Sequence, residues 1–493
     1  MFLLYLHKTN LSTQSLNYER LIFLMHLRIY FILTILFLAV FNSCSEKEQL
    51  IDLEQDIFLG VGKWKIKKKA GVSSSKKSEC DVTDLILNSD FTFKIYTADN
   101  GILLGSYQVI SDENISLANN QGLKLGELTN IQVSGSEISF TLNLEGNCQN
   151  DLEGNKDETY EENKTYIADL EFEKLLIEEG LDDVVDNFVL TSSIAGVGYL
   201  NASDRNINAL VGIEEFKNLE GISAARNQIS GVLDLSYNTK LVNIDLPFNP
   251  ITELYLNNNP ALENLWIYAT YTLEKLEISN SPNLYSLTTH NNRIESYDLK
   301  NSPNIFNLRI WDGQLKELDL SHLSKLEYLV AWNVLNDSNG GEIILPINSS
   351  LKVLGLGSNR LQQIVNLSTS VKLERADLSN NQLTGINFSN NPKVQYLAIE
   401  GNQLNELDVS PLENLLWLRA TGNQISCVTL SEAQINAIPP SCSDLGLPNN
   451  TDQEEESCYD NAAWIEEDFF PRNYEISSSW VVDEGTTYST NCN

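Results

Sequence analysis

Trp266, Trp311 and Trp332, with Tyr268, His290, Arg309 and Tyr328, recur at matched positions of one repeating pattern in the middle of the chain. Exposed Trp and Tyr offer broad apolar area with few rotors to freeze and a polar handle. Such a stripe suits anchoring a protein partner or stacking on sugar rings. His290 and Arg309 would add polar specificity. Lateral packing of the same rings on one another is the competing use, because cross-strand aromatic pairs stabilise sheets by themselves. Catalysis fits this set poorly. No carboxylate pair, Ser nucleophile or metal cluster converges on His290 in the sequence. Asp234, Asp298, Asp319 and Asp408 recur once per period, as scaffold residues do, unlike the paired carboxylates of a hydrolase. No enzymatic activity, cofactor or metal is expected, and no Cys-x-x-Cys spacing is present.

The positioning element is a repeat. Eleven copies of apolar-x-x-apolar-x-apolar-x-x-(Asn)-x-apolar begin at Val197, Leu219, Leu241, Leu262, Leu284, Ile305, Leu326, Leu351, Leu373, Val394 and Leu415. The starts are evenly spaced except for one longer step, from Leu326 to Leu351. A fixed short period means a solenoid, since one turn has an apolar edge that only a neighbouring turn can bury. A second apolar set follows most copies, as in Leu233-Asp-Leu and Leu318-Asp-Leu, so the convex side should be short strands and turns. With apolar first, fourth and sixth positions facing the core, the second, third, fifth and seventh face the concave side. There the fifth and seventh positions read Asp245/Pro247, Trp266/Tyr268, Thr288/His290, Arg309/Trp311, Val330/Trp332 and Gly355/Gly357, with Tyr285, Phe306 and Tyr328 beside them. Copies four to seven also break the pattern. Their ninth position becomes Thr270, Gly313 and Val334, and the seventh carries the long spacing with a loop at Asn336 to Gly341. Sites that break local rules are candidate functional sites.

The pattern resembles the leucine-rich repeat. That resemblance implies that Asn227, Asn249, Asn292, Asn359, Asn381, Asn402 and Asn423 hydrogen-bond the backbone of their turns. The stretch through Asp182-Asp183 and Thr191 to Leu200, and the Trp480 to Cys492 segment, resemble the opening and closing regions of Bacteroidetes-type leucine-rich repeat proteins.

At the start of the chain, Met25-His26 and Arg28 precede an apolar run from Ile29 to Phe41, then Asn42-Ser43-Cys44. This reads as a secretory signal with Met25 as the start. The run is shorter than the roughly 20 residues that a helix needs to span a bilayer. Ser43-Cys44 resembles a bacterial lipoprotein box, although Phe41 and Asn42 depart from its usual residues. The resemblance implies that Cys44 carries lipid, and Ser45-Glu46-Lys47-Glu48 is similar to sequences that send such lipoproteins to the outer face of the outer membrane. Membrane attachment is expected through that anchor only. Six cysteines remain, an even number that suits an oxidising compartment. The expected pairs are Cys80 with Cys148, and two bonds among Cys427, Cys442, Cys458 and Cys492. With 67 acidic and 33 basic residues, a net charge of -34 excludes nucleic acid as a ligand, since phosphate binding needs clustered Lys and Arg.

The expected class is therefore mainly β: a leucine-rich repeat solenoid of about eleven turns after a small antiparallel β-barrel or sandwich. The parts are a leader and lipoprotein signal peptide (1 to 43), a lipid-anchor linker (44 to 55), the β domain (56 to 148), an acidic linker (149 to 165), an N-terminal helical cap (166 to 196), the repeats (197 to 430) and a Cys-containing C-terminal cap (431 to 493). Gly62-Lys63-Trp64 and the meander after it resemble the lipocalin-like domains of bacterial lipoproteins. A complete barrel could hold a small apolar ligand, but one this small is better read as filled by its own side chains. The helical cap rests on the spacing of Leu170, Phe172, Leu175 and Ile177 before Gly180. The functional expectation is non-enzymatic recognition of an extracellular protein at a cell surface, with glycan capture or a structural surface-layer role as alternatives.

Overall fold

The computed structural model describes residues 62–68, 81–111, 113–119, 122–145, 148–335, 342–347, 350–436, 479–483 and 486–492. Cys44, Cys80, Cys442 and Cys458, and the loop at Asn336 to Gly341, lie outside them.

Eight strands alternate apolar and polar residues: β1 (Gly62–Lys68), β2 (Val82–Leu87), β3 (Thr92–Thr97), β4 (Ile102–Ser111), β5 (Asn114–Ala118), β6 (Lys124–Ser134), β7 (Glu137–Leu144) and β8 (Cys148–Lys156). Each pairs antiparallel with the next, and β8 closes on β1 through Trp64↔Lys156 and Ile66↔Gly154. The result is a closed barrel. Its interior is one packed cluster that includes Trp64, Phe93, Ile95, Leu117, Leu128, Phe140, Leu142 and Leu152, so its own side chains occupy it. The sheet runs past residue 148, into the segment expected to be an acidic linker. That segment hides its strand character because Leu152 is its only inward apolar residue, while Asp151, Glu153 and Asn155 alternate outward.

A two-stranded ribbon (Lys164–Tyr166 with Phe188–Leu190) and helix α1 (Leu170–Glu178) follow. Asp169 caps α1 by accepting from the Glu171 and Phe172 N–H groups at 2.9 Å each. The helix buries Phe172, Leu175 and Leu176, and leaves Leu170 exposed, so its inward face is rotated from the expected one. Glu173 is buried beside them, where desolvation raises its pKa although it accepts from the Asp186 and Asn187 N–H groups.

The repeats build one parallel concave sheet of twelve described strands, from Tyr199–Asn201 to Ser479–Val481. Eleven come from the eleven copies. The twelfth, Ser479–Val481, comes from the C-terminal segment and seats Trp480 in the core. The last convex strand, Thr487–Ser489, pairs with Cys427–Thr429, and the Cys427–Cys492 disulfide joins the same two segments (Cα–Cα 5.6 Å). The convex side is short parallel strands and turns, as at Gly231–Asp234, Ile251–Tyr255 and Lys275–Glu277.

Two amide ladders hold the turns. On the strand side Asn381 donates to the carbonyls of Leu356, Leu378 and Ser379 at 3.0, 3.0 and 3.1 Å. Its oxygen accepts from the Asn359 and Leu361 N–H groups at 3.1 and 2.9 Å. Asn227, Asn249, Asn359, Asn402 and Asn423 repeat this bridge between neighbouring copies. On the convex side the buried amides of Asn238, Asn259, Asn391 and Gln434 each donate to two carbonyls, those of the preceding turn among them. Asp234, Asp298, Asp319 and Asp408 each accept the N–H two residues on, which makes them turn-formers.

The barrel docks on the first turns of the solenoid. Val232 N–H donates to Asp99 O at 2.7 Å and Asn100 Nδ2 donates to Ser230 O at 2.9 Å. A Cβ on Gly231 would lie 2.1 Å from Asp99 O, so only glycine allows this approach. Beside it Lys94 Nζ lies 3.2 Å from Glu214 and 2.6 Å from Glu215, and the Tyr96 hydroxyl donates to Glu214 at 2.9 Å. Burial opposes the Lys94 charge, but the two carboxylates outweigh it and raise its pKa.

Candidate functional site

Most concave strands are three residues long, but Ser286–His290, Asn307–Trp311 and Tyr328–Trp332 run to five. These are copies five to seven. Their register sets His290, Trp311 and Trp332 side by side, with Thr288, Arg309 and Val330 in the next row and Tyr328 opposite Asn307. Trp266 ends the preceding strand opposite Thr288, and Tyr268 follows two residues later. All seven expected site residues thus share one face, and each is half-buried.

The rings there lie against one another. Tyr268 stacks on His290 (centroids 4.9 Å apart, planes 10° apart), and His290 stacks on Trp311 (3.8 Å, 12°). Phe248 meets the outer side of Tyr268 edge-on at 5.7 Å and 80°. A second column runs Tyr285, Phe306, Tyr328, the first pair stacked at 4.8 Å and 9° and the second tilted at 5.1 Å and 53°. Val330 and Val353 pack with Trp311, Tyr328 and Trp332 between the columns. Both faces of His290 are therefore covered, and burial lowers its pKa below the ordinary 6.5 although Asn291 Oδ1 sits 2.7 Å from Nδ1. Arg309 Nε donates to Asn307 Oδ1 at 3.3 Å.

Trp332 ends the column on glycine. Cβ atoms on Gly355 and Gly357 would lie 3.0 and 3.5 Å from its Nε1, so the small residues of copy eight leave the space the indole fills. That buried Nε1–H has no hydrogen-bond partner among the described residues. Alongside the rings, Asp312 accepts from Asn291 Nδ2 at 3.1 Å and from Asn333 Nδ2 at 2.8 Å, forming a charged rim.

Under this face the asparagine ladder is interrupted. The Thr270 hydroxyl donates to Ile267 O at 2.7 Å, and the side chains of Gly313 and Val334 offer no polar group. Asn292 keeps its place in sequence but bonds within its own copy, to Thr289 Oγ1 at 2.9 Å, and accepts the Ile294 N–H at 3.0 Å. Thr289 stands where a core aliphatic was expected, with the Tyr297 hydroxyl 3.4 Å away. Burial pushes Tyr297 up to about 12.

Phe248 and the Asn291–Asp312–Asn333 row were not among the expected site residues. All occupy the eighth position of their copies, which the pattern leaves free. Among the described residues no group of three or more His, Cys, Asp or Glu could hold a metal ion, and no helix is long and apolar enough to cross a membrane.

No protein-family model matches the chain, and no curated protein matches it in sequence. Solved structures do. An internalin (inlF) from Listeria monocytogenes is 19% identical over 54% of this chain and 90% of its own, with a TM-score of 0.38. A leucine-rich repeat protein of Leptospira interrogans is 21% identical over 44% of this chain and 69% of its own, with a TM-score of 0.28. The Arabidopsis receptor kinase HAESA, solved with the peptide hormone IDA and the co-receptor SERK1, is 18% identical over 48% of each chain, with a TM-score of 0.32.

Proposed function

We propose that this chain is a non-enzymatic binding protein whose concave face recognises another protein at a cell surface. One observation carries the choice of partner: the inner rings of the aromatic seam are stacked face to face, so their edges point to the open concave space. A sugar ring stacks on an aromatic face, which Tyr268, His290 and Trp311 have given to each other. Ring edges carry partial positive charge and suit backbone carbonyls, carboxylates and apolar side chains, the groups a protein presents. Arg309 and Asp312 supply polar contacts beside them. The lipid on Cys44 would hold the chain to the outer membrane, with the barrel, packed within itself and docked on the repeats, as a rigid mount.

The test is binding of the purified protein to immobilised extracellular proteins and to a glycan array, with the Trp266→Ala, Trp311→Ala, Trp332→Ala triple variant alongside. Protein binding lost in a variant that remains folded supports the reading. Binding to glycans that depends on the same residues would overturn it. For the anchor, Cys44→Ala should release the protein from the membrane fraction; a variant that stays membrane-bound would remove the lipid from the account.

A further inference from the structure

Every copy holds its eighth residue in the left-handed region. The φ values are 59° at Asp204, 53° at Arg226, 57° at Phe248, 53° at Ala269, 53° at Asn291, 50° at Asp312, 48° at Asn333, 61° at Ser358, 54° at Asn380, 64° at Gly401 and 70° at Gly422. The backbone of the turn demands it, since the chain there leaves the strand and reaches the buried ninth position. Asn, Asp, Ser and Gly fill most of these places because they tolerate positive φ. Arg226, Phe248 and Ala269 depart from that rule, and Phe248 alone puts a large apolar side chain there, its Cβ strained by the conformation.

Its ring returns little to the fold. It is 47% exposed and touches Tyr268 only edge-on. The backbone that carries it is nevertheless fixed. Pro247 precedes it and Pro250 follows, each with a locked φ. Its N–H donates to Tyr268 O at 3.1 Å, while Pro247 O accepts the Arg226 N–H at 2.9 Å. Strain that its surroundings over-determine, on a residue that gives the fold so little, marks a group held ready for a contact outside the chain.

We propose that Phe248 is the leading anchor of the concave-face interface, a pre-oriented ring that enters an apolar pocket on the protein partner. This rests on the protein-recognition reading above and adds the anchor and the partner's matching feature. With Tyr268, His290 and Trp311 it forms a line across four successive copies, about 14 Å long at the spacing of parallel strands. The partner's contact therefore runs along the solenoid axis, across the strands. At the neighbouring eighth position Arg226 is held by a two-pronged pair with Asp204, at 2.7 Å for each prong, which gives the anchor a fixed polar rim.

The experiment pans a random peptide phage library on the purified protein and measures the enriched peptides against wild type, Phe248→Asn and the Trp triple variant. Phe248→Asn should melt at the same temperature as wild type or higher, because Asn tolerates the left-handed turn. It should bind the peptides about tenfold more weakly or worse, the loss that marks an interface anchor. A lower melting temperature would assign the ring to the fold and overturn the proposal. Peptides that bind Phe248→Asn unchanged but are lost on the triple variant would also overturn it and leave the concave-face reading standing. Absence of enrichment, or peptides indifferent to all these substitutions, would remove both.

Discussion

Copies eight to eleven and copies four to seven are built on the same period, yet they stabilise their turns differently. In the later copies a buried Asn bridges each turn to the one before it, as Asn381 does with five backbone groups. In the earlier ones Thr270, Gly313 and Val334 have displaced that residue, and stacked rings on the open face supply the contact between copies. The first arrangement is internal and has no use outside the fold. The second places its stabilising groups where a partner can reach them, so across copies four to eleven the regular ladder accompanies scaffold and its interruption accompanies the proposed recognition surface.

Removing one rung should produce the largest effect. Asn381→Ala leaves the Asn359 and Leu361 N–H groups without their acceptor, while the Leu356, Leu378 and Ser379 carbonyls each keep a second donor. The expected loss is roughly 3 kcal/mol, at about 1–3 kcal/mol per orphaned group. Thermal or denaturant unfolding reads it directly. A loss near zero would mean that the ladder does not distinguish the two regions.

Trp311→Ala acts on the other side of the comparison. It removes the ring that covers His290 and packs with Val330 and Val353. A half-buried ring of this kind contributes roughly 2 kcal/mol, so the variant should unfold earlier than wild type while remaining folded at room temperature. The same change should weaken partner binding, whereas Asn381→Ala should leave binding intact below its melting point. If the two variants shift binding alike, the division between scaffold and surface fails.

The regions can also be made more alike. A Cβ on Gly313 would meet nothing closer than 3.5 Å, and its φ is not left-handed, so Gly313→Asn can be accommodated. Restoring the missing rung should raise stability by about 1 kcal/mol, the net contribution of a satisfied hydrogen bond, with a higher unfolding midpoint as the readout. A destabilised variant would show that copies five to seven have drawn apart too far for the bridge.

The repeat period, the buried positions and the face that carries Trp266, Tyr268, His290, Arg309, Trp311, Tyr328 and Trp332 were legible because each follows from local alternation and spacing. What was not legible depends on other kinds of information. β8 carries one inward apolar residue, so its pattern is that of a polar loop until barrel closure gives it two partners. The docking of the barrel joins residues 94–100 to residues 214–232, a separation no periodicity encodes. The left-handed eighth position was written in the recurrence of Asn, Asp, Ser and Gly there, and Phe248 stood out only once that backbone requirement was known. Lateral ring stacking, the competing use of the aromatics, is what the structure contains at Tyr268, His290 and Trp311.

The smallest effect should come from His290, and it isolates the seam from the ladder, whose amides do not titrate. Burial between Tyr268 and Trp311 favours the neutral imidazole, so its folded pKa lies below the 6.5 of the unfolded chain. Between those two values the unfolded state binds more protons than the folded one, and stability therefore rises with pH through that window. Acidification from pH 7.5 should lower the melting temperature as pH falls through 6.5, with this contribution levelling off below the depressed folded value. His290→Phe keeps a ring in the stack and removes the proton. Its melting temperature should fall less than that of wild type between pH 7.5 and 5.5, the carboxylates contributing equally to both. Identical pH profiles would mean that the imidazole is solvated in the folded chain, and that its stack on Trp311 does not hold it dry.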